Sequence, residues 1–163
     1  MAALLREKLH AAGYVQYEIS NYALPGYHSR HNSSYWVQTP YLGLGPGAHS
    51  YDGKNLRSWN LPRVMEYLKG NRIEEHEILS DTDLYNERIM LGLRTAKGVC
   101  LTRGEYSAKK EIIASFVERG LITCSSIEQK GFPTSGKDAG NCHIVLTEAG
   151  LALGDEVIRD LMD

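Results

Sequence analysis

The chain has 163 residues, 42% of them hydrophobic and 23% charged, with a net charge of −2. That length holds one ordinary domain or two small ones, and the composition is that of a folded globular protein rather than a disordered segment. The charge offers no bulk attraction to nucleic acid or to an anionic membrane; no apolar run reaches the length of a membrane span and no signal-peptide pattern opens the chain, so the cytosol is the expected compartment.

Residues 2–12 carry a helical pattern, with Leu4, Leu5, Leu9 and Ala12 on one face, yet no capping residue precedes them. Gly13 ends this helix, and Tyr14 to Ser20 follows at once as an alternating strand. Val15, Tyr17 and Ile19 are expected on one side, for packing under helices; Gln16, Glu18 and Ser20 are expected on the other. A single helix-to-strand step is half of an α/β unit and cannot bury both faces of its strand, so a preceding segment is expected. If the strand is a parallel barrel strand, Glu18 and Asn21 stand at its ligand-binding end. The same pattern fits an edge strand with a solvated face equally well.

Residues 21–40 read as loop, containing Pro25, Gly26, Asn32, Ser33, Ser34 and Pro40. Tyr41 to Tyr51 reads as a second extended segment and Asn55 to Trp59 as a short strand. A helix is expected from Asn60 or Leu61 to Lys69, with Pro62 in its first turn and Gly70 as its stop. Arg72 to Leu79 reads as an acidic, extended connector, and a domain boundary is placed after residue 75.

Beyond it, Ser80 and Asp83 form a capping-box pattern opening a helix, and Lys97, Gly98 and Val99 read as a turn. A helix from about Gly104 to Arg119 is stopped by Gly120; Leu121 to Thr123 is a strand, 125–141 a polar hairpin, His143 to Leu146 the return strand, and Glu148 to Met162 one last helix. This order suits a winged-helix-like domain over residues 76–163. Residues 80–163 hold 10 Lys and Arg against 13 Asp and Glu, a net of −3, and show no basic face for a duplex, so a structural or protein-docking role is favoured over DNA reading.

Cys100, Cys124 and Cys142 are odd in number and widely spaced, which predicts reduced, structural thiols. Gly43, Gly45 and Ala48 match the dinucleotide fingerprint literally, but strand and turn residues follow where a helix N-terminus is required. The better reading is a place where glycine lets another backbone or a ligand come close; His49 and Ser50 then either reach that ligand or are ordinary polar residues at a strand end. His31 lies near the pair Tyr35 and Trp36. Neutral imidazole is a common axial ligand of haem iron and aromatic rings offer apolar faces to a porphyrin, but local composition by itself favours a packing or hydrogen-bonding histidine.

Taken together, three blocks are more specific than any one: YEISNYALPGYHSRHNSSYW at 17–36, YLGLGPGAHSY at 41–51 and MLGLRTAKGV at 90–99. They resemble consecutive blocks of the oxygen-independent coproporphyrinogen III oxidase-like radical-SAM family, and His31 to Trp36 resembles the HNxxYW block of its haem-chaperone branch. The resemblance implies an α/β fold: residues 1–75 as the last part of a partial (α/β) barrel, followed by a small α+β domain over 76–163. It implies a parent protein that uses a [4Fe-4S] cluster and S-adenosylmethionine, with a haem role falling on His31 and supporting roles on Tyr35, Trp36, Glu18, Asn21, Gly43, Gly45 and His49. The C-x3-C-x2-C spacing that would hold the cluster is not in this sequence, so no cluster ligand and no catalytic residue is assigned to it. Its expected partners are the barrel segment that precedes it, haem or porphyrin, and other copies of itself through uncovered strands.

Overall fold

A computed structural model describes residues 2–71, 74–126 and 142–163. Helix α1 spans Ala2–Ala11, with Lys8 and His10 in its last turn where cations suit the helix dipole. Gly13, at φ 83°, turns the chain out of it. The strand expected over Tyr14 to Ser20 is much shorter. β1 is Val15–Gln16, paired antiparallel with β2, Tyr22–Ala23. A turn closed by the Tyr17 N–H donating to the Asn21 carbonyl joins them, so the segment is a hairpin where a parallel strand was expected. Its faces also differ from the alternation. Val15 is exposed, whereas Glu18 is 3% exposed.

The expected loop over 21–40 contains a helix, α2, Arg30–Trp36. The Ser29 side chain caps it by accepting from the Asn32 N–H at 3.2 Å. Serine before a short run was readable as a loop residue because it serves both roles. Tyr41–Tyr51, expected to be extended throughout, folds back on itself: Tyr41 bridges Tyr51 antiparallel, and only β3, His49–Tyr51, is regular strand. β4, Leu56–Asn60, pairs with β3, and α3, Val64–Leu68, follows. The acidic connector is itself a strand, β5, Glu74–Ile78, paired along its length with β4; the position expected for the domain boundary falls within it. Exposed glutamates on an edge strand read as linker because nothing buried marks them.

α4 covers Asp81–Leu93 and opens on the expected capping box of Ser80 and Asp83. The expected turn at Lys97–Val99 runs directly into a strand, β6, Val99–Leu101. α5, Arg103–Glu118, has a second capping box from Thr102 and Glu105. β7, Ile122–Ser126, and β8, Cys142–Leu146, complete an antiparallel sheet in the order β6-β8-β7. Most of the expected hairpin at 125–141 lies outside the described residues. The last helix is broken into α6, Glu148–Leu151, and α7, Gly154–Leu161. Gly150, inside α6, lets that helix lie against the start of β7: a Cβ there would meet the Leu121 carbonyl oxygen at 1.8 Å.

The contiguous core lies in this second half. Ile89 and Leu93 of α4, Leu101 of β6, Ile113 and Phe116 of α5, Ile144 of β8 and Leu161 of α7 are all buried in it. β8 buries Cys142, Ile144 and Leu146 and leaves His143 and Val145 half-buried, the alternation of a sheet with one face covered. Cys124 and Cys142 are joined in a disulfide across β7 and β8, with Cα atoms 6.3 Å apart, in place of the expected reduced thiols; their separation in sequence hid a hairpin pairing. In the first 79 residues the buried apolar side chains described are Ala23, Tyr51 and Leu79, while Leu42, Leu44, Met65, Leu68 and Ile78 are exposed.

Candidate functional site

Among the described residues, backbone bonds join the β1–β2 hairpin to the turn between α4 and β6. The Ile19 N–H donates to the Arg94 carbonyl at 2.8 Å, and the Ala96 N–H donates to the Tyr17 carbonyl at 3.1 Å. Glu18, between them, bridges Thr95, and its carboxylate accepts from the Ser20 N–H at 3.0 Å. Glu18 therefore sits in the seam between the β1–β2 hairpin and the α4–β6 turn, with Gln16, Arg94 and Leu146 about the same small recess. Asn21 is exposed and its carbonyl closes the hairpin turn. These two residues hold the docking geometry, and they are not grouped with His31.

Helix α2 explains the spacing of the His31 to Trp36 block. At 3.6 residues per turn, Tyr35 falls about 40° round the helix from His31, whereas Trp36 falls about 140° away and Ser33 about 160° away. His31 and Tyr35 are both exposed, with ring centroids 5.1 Å apart and planes crossed at 81°. The Tyr35 hydroxyl lies 3.4 Å from His31 Nε2. Tyr35 in turn meets Tyr41 edge-on at 5.5 Å, and Tyr41 is 6.3 Å from the buried Tyr51, whose own hydroxyl is pushed above the ordinary phenol range by burial. An exposed imidazole thus stands at the end of a row of three tyrosines.

Trp36 faces the other way. With Tyr17, His28, Ser33 and the 95–98 turn it lines a cavity of about 210 Å³ between α2 and the start of β6. Sequence spacing placed His31, Tyr35 and Trp36 in one group; the helix splits them, two outward and one inward. His28 and Tyr17, missed in the sequence, stack at 4.5 Å and 14°. Only a fold that brings the β1–β2 hairpin beside residues 24–29 makes them neighbours.

The glycine block is a separate place. A Cβ on Gly43 would lie 2.1 Å from the His49 carbonyl oxygen, so the close backbone approach expected of this glycine is present. The Gly43 N–H donates to Ser50 Oγ at 3.0 Å. Gly45, at φ 112°, donates to the Tyr67 hydroxyl at 3.1 Å and accepts from Asn60 Nδ2. His49 is exposed and stacks on Trp59 across β3 and β4. These contacts make a folded-back loop before a strand, and no helix N-terminus follows to hold a pyrophosphate.

An iron–sulfur cluster does not fit the residues of this chain. Cys124 and Cys142 bond to each other, Cys100 lies on β6, and among the described residues no three His, Cys, Asp or Glu side chains converge. Among the described residues no helix is long and apolar enough to cross a membrane.

No family model matches the chain. It is 42% identical over 154 residues to a protein named heme chaperone HemW from Lactococcus lactis subsp. lactis, covering 92% of this chain and 38% of the relative. A protein of the same name from Bacillus subtilis is 32% identical over 163 residues, 96% of this chain and 40% of the relative. Bovine radical S-adenosyl methionine domain-containing protein 1, mitochondrial, is 38% identical over 109 residues, 58% of this chain and 24% of the relative. In fold, the chain is similar to coproporphyrinogen III oxidase (HemN) from Escherichia coli, a radical-SAM enzyme, with a TM-score of 0.62, 15% identity, and coverage of 97% of this chain and 40% of that one. The chain spans about two fifths of the length of the first two relatives and of the solved structure; its sequence likeness to proteins named heme chaperone HemW runs over nearly its whole length, and its likeness to the oxidase is one of fold.

Proposed function

We propose that the chain is the C-terminal, haem-handling part of a haem-chaperone-type protein, with His31 as the imidazole that meets the iron of the haem it carries. The observation that supports this most directly is the position of His31: exposed on the outer face of α2, held edge-on to Tyr35, and outside any packed core. A histidine kept for packing would be buried among apolar side chains; this one presents its ring to solvent. In this reading Tyr35 steadies the imidazole, Glu18 and Asn21 fix the hairpin against the second half, and Gly43, Gly45 and His49 shape the loop that carries Tyr41 toward Tyr35. Cluster and S-adenosylmethionine chemistry belongs to the rest of the parent, and the chain alone catalyses nothing. A parent that decarboxylates a porphyrinogen shares the fold, but the HNxxYW block and the names of the relatives support the haem-chaperone reading.

Residues 76–163 are then a winged-helix-like domain. The order α4, β6, α5, β7, β8 with the sheet β6-β8-β7 supports this, and its net negative charge suits docking to protein rather than to DNA. Residues 1–75 form the end of the barrel, and their exposed apolar side chains are the surface that its remaining segment covers. Titration with haem tests the site. A Soret band characteristic of bound haem is expected for the unaltered chain and is expected to be lost in His31→Ala. Binding unchanged by that substitution would remove His31 from its role.

A further inference from the structure

We infer that the cavity behind α2 is a second binding site, for a small planar carboxylate, and that it is distinct from the haem site on the helix's outer face. Three observations meet there. Trp36 lines the cavity, and its indole Nε1 is buried with no hydrogen-bond partner among the described residues. A buried donor left unpaired costs about 1–3 kcal/mol, a deficit that an acceptor removes once the indole turns its N–H edge into the cavity. Tyr17 and His28, stacked at 4.5 Å, supply a flat wall against which a ring can lie. Lys97, exposed at the turn before β6, also lines the cavity and adds a cation with which a carboxylate can pair.

Size and lining narrow the ligand further. At about 210 Å³ the cavity is smaller than the roughly 300–1,000 Å³ typical of drug-sized sites, so it suits a single ring rather than a tetrapyrrole. Gly92 and Gly98 lie in the lining, where the chain is packed too tightly for side chains: a Cβ at Gly92 would meet Val99 at 2.8 Å, and one at Gly98 would meet the Ile144 carbonyl oxygen at 2.1 Å. The apolar floor is therefore built by close packing, and the polar groups are few, as in sites that orient a ligand by one or two bonds. Nothing about this site requires His31, which lies on the opposite side of the helix.

Benzoate is the probe. In a Trp59→Phe chain, Trp36 is the only tryptophan, so its indole ¹⁵N–H signal reports the site directly. Benzoate is expected to move that signal saturably, and benzyl alcohol, which keeps the ring without the charge, is expected to bind about tenfold more weakly. Lys97→Met, at an exposed position that does not threaten folding, is expected to weaken benzoate by a similar factor, whereas His31→Ala is expected to leave it unchanged. A signal that does not saturate with benzoate overturns the proposal, as does equal binding of benzoate and benzyl alcohol with no effect of Lys97→Met. Neither result bears on haem binding at His31, which is read independently by the Soret band.

Discussion

The hydroxyl of Tyr35 stands 3.4 Å from Nε2 of His31, one turn along the same short helix, with the two rings nearly perpendicular. An i,i+4 pair of this kind is fixed by the helix itself, so the tyrosine orients the imidazole without any tertiary contact. Tyr35→Phe keeps the ring and removes the hydroxyl. It is expected to lower haem affinity by about tenfold, the scale seen when a group that orients a metal-binding histidine is lost, while the Soret band keeps its position. Equilibrium titration monitored by absorbance checks this; an effect as large as that of His31→Ala would make Tyr35 a ligand in its own right.

Gly43 is packed against the backbone of His49 with no room for a methyl group. Gly43→Ala is expected to push the 41–47 segment off β3 and to destabilise the β3-β4-β5 sheet by about 1–3 kcal/mol, the usual cost of overpacking. The stack of His49 on Trp59 offers the readout. Tryptophan fluorescence at Trp59, in a Trp36→Phe background, is expected to change together with a lower denaturation midpoint.

The α4 capping box gives a pH dependence of known sign. The Asp83 carboxyl is held below the usual carboxylate range by the Ser80 hydroxyl and, next, by the Ser80 backbone N–H. A carboxylate depressed in the folded state contributes stability that is fully present above its unfolded value of about 3.9 and lost as pH falls through the folded value. Acid unfolding is therefore expected to be steeper for the unaltered chain than for Asp83→Asn below about pH 4. At neutral pH, Ser80→Ala is expected to cost about 1 kcal/mol through loss of the N-cap, measured by urea denaturation.

Because the contiguous core is formed by residues 89–161, the segment 80–163 is expected to fold when expressed alone and to give a dispersed amide NMR spectrum. The full chain, with Leu42, Leu44, Val15 and Tyr27 exposed in its first half, is expected to self-associate with rising concentration. Light scattering of both samples separates the two expectations. A monodisperse full chain at high concentration would count against an uncovered barrel surface.

What the sequence determined by itself was local. Capping serines and threonines, helix-stopping glycines and the apolar spacing of α4 and α5 act over a few residues, so their positions were readable before any fold was known. The three blocks that carry the family resemblance were readable for the same reason. The tertiary structure decided the rest. Glu74–Ile78 is a strand only because β4 offers it hydrogen bonds, and Glu18 is buried only because Thr95 pairs with it. His31 and Trp36 share a motif but not a site, because a seven-residue helix turns one outward and the other toward a turn more than fifty residues later in the chain. Contacts between distant segments depend on where the chain returns, and no local pattern encodes that return.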